Sequence, residues 1–407
     1  MLMRVEDGAF SSRLLANSGS SAVRVRVFEV LRSLRALDTV LAQYLRLGLE
    51  ELDAEVRVAL RMGLAEAIRL GMPPPLATDG AVRLVRRLGK SSASGMVNAV
   101  LRKASAGAWE TLGDSPVDVR LSHPGWLYRR WVDHFGNEAA AAAMAAAQEP
   151  AQTWAWFLDD KARHELVGAG MMLDGHPWCP GAWSAQENPG RLLQAVESGA
   201  AYAQDPSSQV VAHVAKSLVG ATGWFIDLCA APGGKTALLL VHGDWTCAVA
   251  ADRRLSRTRL MAPLLGRAGE CTIIVADATL PSVPVDRWDL VLIDAPCTGT
   301  GTFRRHPELK WRLSPESIGR IAERQRKMLA ASLDLVAPGG TLLYSTCSVE
   351  PEENEDLFAE PVRGFDVADI ESHIPAGMPY ISTAARGVRI LPNPLGDGFT
   401  MHAVRRR

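Results

Sequence analysis

Two cysteines stand where short apolar runs give way to hydroxyl-rich turns. Cys297 lies in Asp294-Ala295-Pro296-Cys297-Thr298-Gly299-Thr300-Gly301, and Cys347 in Tyr344-Ser345-Thr346-Cys347-Ser348. A single cysteine ending an apolar strand is usually a small buried hydrophobe. Two that end successive runs, both among hydroxyl groups, suggest shared chemistry. A thiolate serves as a nucleophile or as a metal ligand. Zinc needs a third and fourth ligand, which neither motif offers at ordinary spacing. A disulfide does not persist in a reducing compartment. Covalent catalysis is the reading that uses both thiols.

The neighbouring run ends are also chemically equipped. The first closes as Asp227-Leu228-Cys229-Ala230-Ala231-Pro232-Gly233-Gly234-Lys235-Thr236. Its glycines let a ligand approach the backbone, and the helix that follows presents its N-terminus there. Gly234-Lys235-Thr236 looks like the end of a P-loop, but the glycine such a loop needs five residues before Gly234 is Cys229. The second run ends at Asp252, a carboxylate suited to the two hydroxyls of a ribose. A dinucleotide would be met in the same way, so NAD stays open on these residues. The third ends at Asp277, which can accept from an adenine amino group. Either carboxylate alone would read as a helix cap; two in step with a glycine turn point to an adenosine ligand.

Such residues need a scaffold that brings run ends together. From Gln204 on, apolar runs at 224–228, 248–251, 272–275, 290–293 and 341–344 alternate with helical stretches at 236–241, 257–267 and 315–336. Continuous apolar strands with crossover helices predict a parallel sheet covered on both faces. Such a sheet binds ligands at its carboxyl edge. From about Ser20 to Ala104 the spacing is helical throughout, as in Val23-Val27-Leu31 and Leu60-Leu64-Ile68, broken by Met72-Pro73-Pro74-Pro75, so residues 1–114 read as an all-helical domain. Residues 115–203 begin with an aromatic-rich helix (Trp126, Tyr128, Trp131, Phe135), followed by an alanine-rich helix. A strand at 153–158 and a loop-rich stretch follow, which together predict a linker helix and a small α+β module.

The 407 residues suffice for two or three domains, and 47% hydrophobic with 22% charged residues is ordinary for a globular protein. The longest apolar stretch, 139–147, is too short to span a membrane, and residues 1–10 do not read as a secretory signal. Six cysteines without a CxxC pair argue against a disulfide framework or a zinc ribbon. A cytoplasmic monomer without a metal is expected. The net charge of −1 makes a basic surface a local matter. Between Gly301 and Ala330 stand eight basic residues against three acidic ones. Just downstream, residues 350–356 are strongly acidic.

These motifs resemble the RNA 5-methylcytosine methyltransferases of the Sun (NSUN) group. The likeness rests on Leu228–Thr236, Asp294–Gly301 and Ser345–Ser348. It extends to Gln204–Gln209, Phe303–Glu308 and Asp397-Gly398-Phe399, covering essentially 204–407. At the front, Leu45–Gly48, Gly63–Glu66 and Val97–Lys103 look like a NusB-like RNA-binding domain, one that opens near Val23 and so is shortened at its N-terminus. Ser122–Leu127 resembles the linker helix after it. NusB-like domain plus methyltransferase is the architecture of bacterial RsmB (Fmu/Sun)-like enzymes.

The resemblance implies a class I methyltransferase fold, Rossmann-like, with a mostly parallel seven-stranded sheet at 204–407. It also implies S-adenosyl-L-methionine as cofactor and small-subunit ribosomal RNA as partner. Cys347 would be the nucleophile, Cys297 would serve product release, and Asp294 would bond the base and approach the cofactor. Cys229, Ala230, Ala231, Pro232, Gly233, Gly234 and Lys235 would wrap the methionine part and ribose, with Asp252 and Asp277 on the ribose and adenine. Arg304, Arg305 and Lys310 are candidates for RNA phosphate contact. The alternatives are the same chemistry on transfer RNA or another RNA, a non-catalytic ribosome-assembly factor, and an oxidoreductase.

Overall fold

Apolar residues at three- and four-residue spacing fold the front of the chain into helices. The structure, a computed structural model, describes residues 1–15, 20–185, 187 and 189–407. They form two compact units: unit 1 is Met1–Pro150 with Phe303–Arg312, and unit 2 is Ala151–Thr302 with Leu313–Arg407.

Unit 1 contains helices α1 (Leu2–Glu6), α2 (Ser11–Leu15), α3 (Ser21–Arg32), α4 (Leu34–Ala42), α5 (Ala54–Ile68), α6 (Pro74–Arg87) and α7 (Ser94–Gly113). The short α8 (Val117–Arg120) then leads to α9 (Gly125–Phe135) and α10 (Asn137–Ala146). Leu37, Leu41, Leu60, Leu64 and Leu101 form its core. The proline run opens α6, where a proline at the first helical position loses no hydrogen bond. Helical periodicity predicts a start near Val23, yet α1 and α2 precede that point. Leu2, Val5 and Leu15 from them are buried in the same core. Five-residue helices are too short to show a period, which is why the spacing misses them.

Phe303–Arg312 belongs to unit 1 although its chain neighbours belong to unit 2. The last carbonyls of a helix have no intrahelical partner, and this segment supplies them. Lys310 Nζ donates to Arg32 O at 2.9 Å and Trp311 Nε1 to Leu31 O at 2.7 Å, closing the end of α3. Arg312 donates to Val5 O and Ala9 O. Glu308 Oε1 accepts from the Ser11 amide and hydroxyl. The Phe303 and Trp131 rings stack with centroids 6.0 Å apart, so α9 stands with unit 1.

Unit 2 opens with a small antiparallel sheet of β1 (Ala155–Phe157), β2 (Asp174–Gly175), β3 (Trp183–Ser184) and β4 (Ala201–Ala203), ordered β2-β3-β1-β4. Helices α11 (Asp160–Gly168) and α12 (Pro189–Glu197) accompany it. The large sheet has five parallel strands: β5 (Thr222–Asp227), β6 (Asp244–Asp252), β7 (Thr272–Val275), β8 (Trp288–Asp294) and β9 (Val336–Thr346). They are ordered β7-β6-β5-β8-β9. Four antiparallel strands complete it: β10 (Phe365–Val367), β11 (Ile381–Ser382), β12 (Val388–Ile390) and β13 (Phe399–Arg406). β13 pairs with β9, then β12 and β11 follow, and β10 also pairs with β13. The sheet therefore has nine strands rather than the expected seven. β10 and β11, of three and two residues, are too short to carry a strand pattern.

Helices α13 (Pro206–Val219), α14 (Gly234–Val241), α15 (Leu255–Ala268) and α16 (Pro315–Leu333) complete unit 2. Alternate residues of each parallel strand enter different cores. Phe225, Leu290, Leu292 and Leu343 join one, and Ile226, Val291, Ile293 and Leu342 the other. Burial on both faces is what the continuous apolar runs require. The strand order reverses between β5 and β8, which opens a crevice at their carboxyl ends.

Candidate active site

The register of the sheet brings the two cysteine motifs together. β8 and β9 are parallel neighbours with Asp294 opposite Ser345, so the turns after them leave the sheet side by side. Cys297 Sγ and Cys347 Sγ lie 3.1 Å apart, and all six cysteines are free thiols. The hydrogen bond to Cys347, then burial, holds the Cys297 thiol well above its ordinary pKa. Cys297 therefore carries a proton at neutral pH. Gly301 N donates to Cys347 O at 3.0 Å, joining the two turns, and Gly398 N donates to Gly301 O at 2.8 Å. A Cβ on Gly301 would lie 2.2 Å from the Gly398 oxygen.

Asp294 is held from two sides. Its Oδ2 accepts from Lys235 Nζ at 2.7 Å and its Oδ1 from Ser345 Oγ at 3.1 Å. Lys235 Nζ also donates to Ser208 Oγ at 2.8 Å and sits 4.9 Å from the Phe399 ring centroid. The glycine turn comes off β5 at Asp227. Burial pushes that carboxyl up to about 7, and it accepts from Cys229 N and Thr236 Oγ1. Gly233, at φ +106°, takes a backbone conformation that side chains disfavour. Ala230 N donates to Ala251 O at 2.9 Å, tying the turn to β6. Burial also raises the Cys229 thiol, so it is inert beside the turn.

A cavity of about 340 Å³ runs along these strand ends. Leu228, Cys229, Ala231, Asp252, Asp277, Asp294, Cys297 and Cys347 line it. The volume lies near the lower bound of small-molecule sites, roughly 300 Å³. Asp252 Oδ1 accepts from Arg254 N at 2.9 Å, and its Oδ2 pairs with Arg257 Nε at 3.3 Å. Asp277 Oδ1 accepts from the Thr279 amide and hydroxyl, and the amide bond first of all keeps its carboxyl below the usual pKa. Asp277 is thus an ionised acceptor. Ala230, Pro232, Gly233, Gly234 and Lys235 shape the turn from outside the cavity wall. Residues not picked out in advance as ligand contacts, Arg257, Arg324 and Met328, also line it. Arg257 donates to Ala231 O, and its place in the first turn of α15, just after Asp252, could have signalled it. Among the described residues no cluster suits a metal ion, and no helix is long and apolar enough to cross a membrane.

The three basic candidates for phosphate contact are not brought to this cavity. Lys310 and Arg304 are 1% and 3% exposed. The side-chain Nζ of Lys310 caps α3, and the backbone oxygen of Arg304 accepts from Arg32 at 2.9 Å. Buried inside unit 1, these two do not offer a charge to RNA, which corrects the expectation. Arg305 is half-buried. The acidic run likewise turns inward, with Glu350 and Glu353 fully buried.

Residues 220–404 match the family described as 16S rRNA methyltransferase RsmB/F, and residues 2–106 match the NusB family. The ribosomal RNA small subunit methyltransferase B of Sodalis glossinidius is 31% identical over 391 residues, 91% of this chain and 86% of its own. That of Cronobacter sakazakii is also 31% identical, over 91% and 87%. Among solved structures, the protein PH0851 superposes with a TM-score of 0.75 at 22% identity, over 100% of this chain and 97% of its own. NSun6 from Pyrococcus horikoshii does so at 0.57 and 20%, over 70% and 98%. At these identities the two structures support the fold.

Proposed function

The chain belongs to the RsmB/F family of 16S rRNA methyltransferases, and on that premise we propose that it methylates carbon 5 of a cytosine in small-subunit ribosomal RNA. Cys347 is the nucleophile and S-adenosyl-L-methionine the methyl donor. The observation that carries this reading is the pair of thiols 3.1 Å apart, in a cavity shared with Asp294, Asp252 and Asp277.

Carbon 5 of cytosine is a weak nucleophile. Addition of the Cys347 thiolate at carbon 6 turns the ring into an enamine whose carbon 5 attacks an electrophile. S-adenosyl-L-methionine supplies, when bound, a methyl group on a sulfonium sulfur. The residues present suit it. Asp252 and Asp277 are acceptors for ribose hydroxyls and an adenine amino group, and the 228–235 turn offers close backbone. Asp294, oriented by Lys235 and Ser345, bonds the base at its ring nitrogen or amino group and stabilises the adduct. A base from solvent takes the carbon 5 proton, the freed pair re-forms the carbon 5–carbon 6 double bond, and the Cys347–carbon 6 bond breaks with its pair returning to sulfur. Cys297, which carries a proton beside the departing sulfur, assists this release. The base enters unstacked, because the thiol needs its open face.

The test is incubation of the purified protein with radiolabelled S-adenosyl-L-methionine and deproteinised small-subunit rRNA, followed by nucleoside analysis. Labelled 5-methylcytidine is expected. Label in another nucleoside overturns the thiol chemistry, and label taken up only by transfer RNA overturns the substrate. No label in any RNA or assembled subunit leaves the non-catalytic reading.

A further inference from the structure

We propose that Glu353 is a positioning residue for this reaction: its buried carboxylate braces Thr298 and Ser348, and through them sets the separation of the two thiols. The inference rests on the roles given above to Cys347 and Cys297.

The ladder between β8 and β9 ends at Asp294 and Ser345; beyond it Gly301 N donates to Cys347 O and Val349 N to Thr300 Oγ1, both at 3.0 Å, and the segment next to Cys297 is tied across by one further group. Glu353, 0% exposed, lies between the two turns. Its Oε2 accepts from Thr298 N at 2.9 Å and from Gln325 Nε2 at 3.0 Å. Its Oε1 accepts from Ser348 Oγ at 2.7 Å and from Thr298 Oγ1. Thr298 follows one reactive cysteine and Ser348 the other. Gln325 Nε2 also donates to Pro296 O at 3.1 Å, so α16 holds the residue before Cys297 through the same amide.

A buried carboxylate is costly unless its acceptor sites are filled, and here four donors fill them. Burial raises the pKa of Glu353 and these donors oppose the rise. The side chain does not line the cavity, so it moves no proton to or from substrate. Its own segment is held by other means. Tyr344 Oη donates to Glu353 O at 2.9 Å, and Asn354 bonds Thr346, Ser348 and Glu350. Those contacts survive a change at the Glu353 side chain, which separates local folding from positioning.

The test uses S-adenosyl-L-methionine and RNA carrying 5-fluorocytidine: once its carbon 5 has taken the methyl group it has no proton to lose, so the Cys347 adduct persists and is counted on a denaturing gel. Glu353→Ala should slow adduct formation about a hundredfold, the cost of displacing a reacting group by roughly 1 Å, with cofactor affinity unchanged. Glu353→Gln should recover most of the rate, because its oxygen still meets the two N–H donors while both hydroxyls can turn to accept. A second readout is independent of RNA: diamide-driven formation of the Cys297–Cys347 disulfide should also be slower in Glu353→Ala. Native rates in that variant, judged per folded molecule, overturn the inference alone. Equal losses in the Ala and Gln variants, tracking only a lower melting temperature, also overturn it. No adduct with the native enzyme overturns the thiol chemistry and this inference with it.

Discussion

At the carboxyl edge of the sheet a buried carboxylate, Glu353, gathers donors from two turns. In unit 1 a buried lysine amine, Lys310, donates a hydrogen bond to the Arg32 carbonyl at the end of α3, while burial and then Arg32 and Arg69 lower its pKa. Both positions are at most 1% exposed, and both come from charged stretches that look like surface in the sequence. The first cluster stands directly behind Cys297 and Cys347, which line the strand-end cavity. The second completes a helix end and touches no cavity that holds a thiol. Burial of an ionisable group is therefore not itself a mark of catalysis. What separates the two is whether the residues held in place adjoin the strand-end cavity.

The largest expected effect separates the two regions outright. Cys347→Ala should reduce methylation by at least about a thousandfold while cofactor affinity stays near native, since it removes the only step that activates the ring. Measurable turnover in that variant would take the catalytic edge out of the comparison. Cys297→Ala should lower turnover by about a hundredfold, the scale of lost acid–base assistance, and leave a protein–RNA adduct that survives a denaturing gel. Free turnover without adduct would remove Cys297 from release.

Lys310→Ala probes the other region. It leaves Arg32 O without its donor and opens a small void, so a loss of about 2–4 kcal/mol in unit 1 is expected. The salt dependence of RNA binding should not change. A slope shallower by about one, with native stability, would restore the phosphate contact. The smallest effect concerns pH. Burial first, then the Lys310 charge, holds His123 well below its ordinary value of 6.5, and its Nδ1 faces Leu121 O at 2.6 Å. The folded imidazole stays neutral while the unfolded one takes up a proton below that value, so stability falls as the pH drops. His306, also lowered chiefly by burial, adds to the same slope. Hydrogen exchange in α4 should quicken relative to a peptide reference between about pH 7.5 and 5.5. Protection independent of pH would show that neither imidazole is kept neutral.

Much of the candidate site was legible because its parts are local. A strand that ends in a functional residue is a short run with a chemical type at its end. Asp252, Asp277, Asp294, Cys297 and Cys347 could all be picked out this way, and they line one cavity. The parallel core was legible for the same reason, since strands buried on both faces read as unbroken apolar runs. The two- and three-residue edge strands, α1 and α2 were not, because a period needs more than one repeat to show.

By itself, then, the amino-acid order determined which chemistry stands at which strand end, because side-chain type and spacing along one element do not depend on distant contacts. Only the tertiary structure decided which charges are solvated and which are internal. Lys310 reads as basic rim until the end of α3 is seen to need a donor, and Glu353 reads as acidic surface until two turns are seen to meet on it. Burial depends on partners tens or hundreds of residues away: Lys310 meets Arg32 across 278 positions and Glu353 meets Thr298 across 55. No local pattern carries that information.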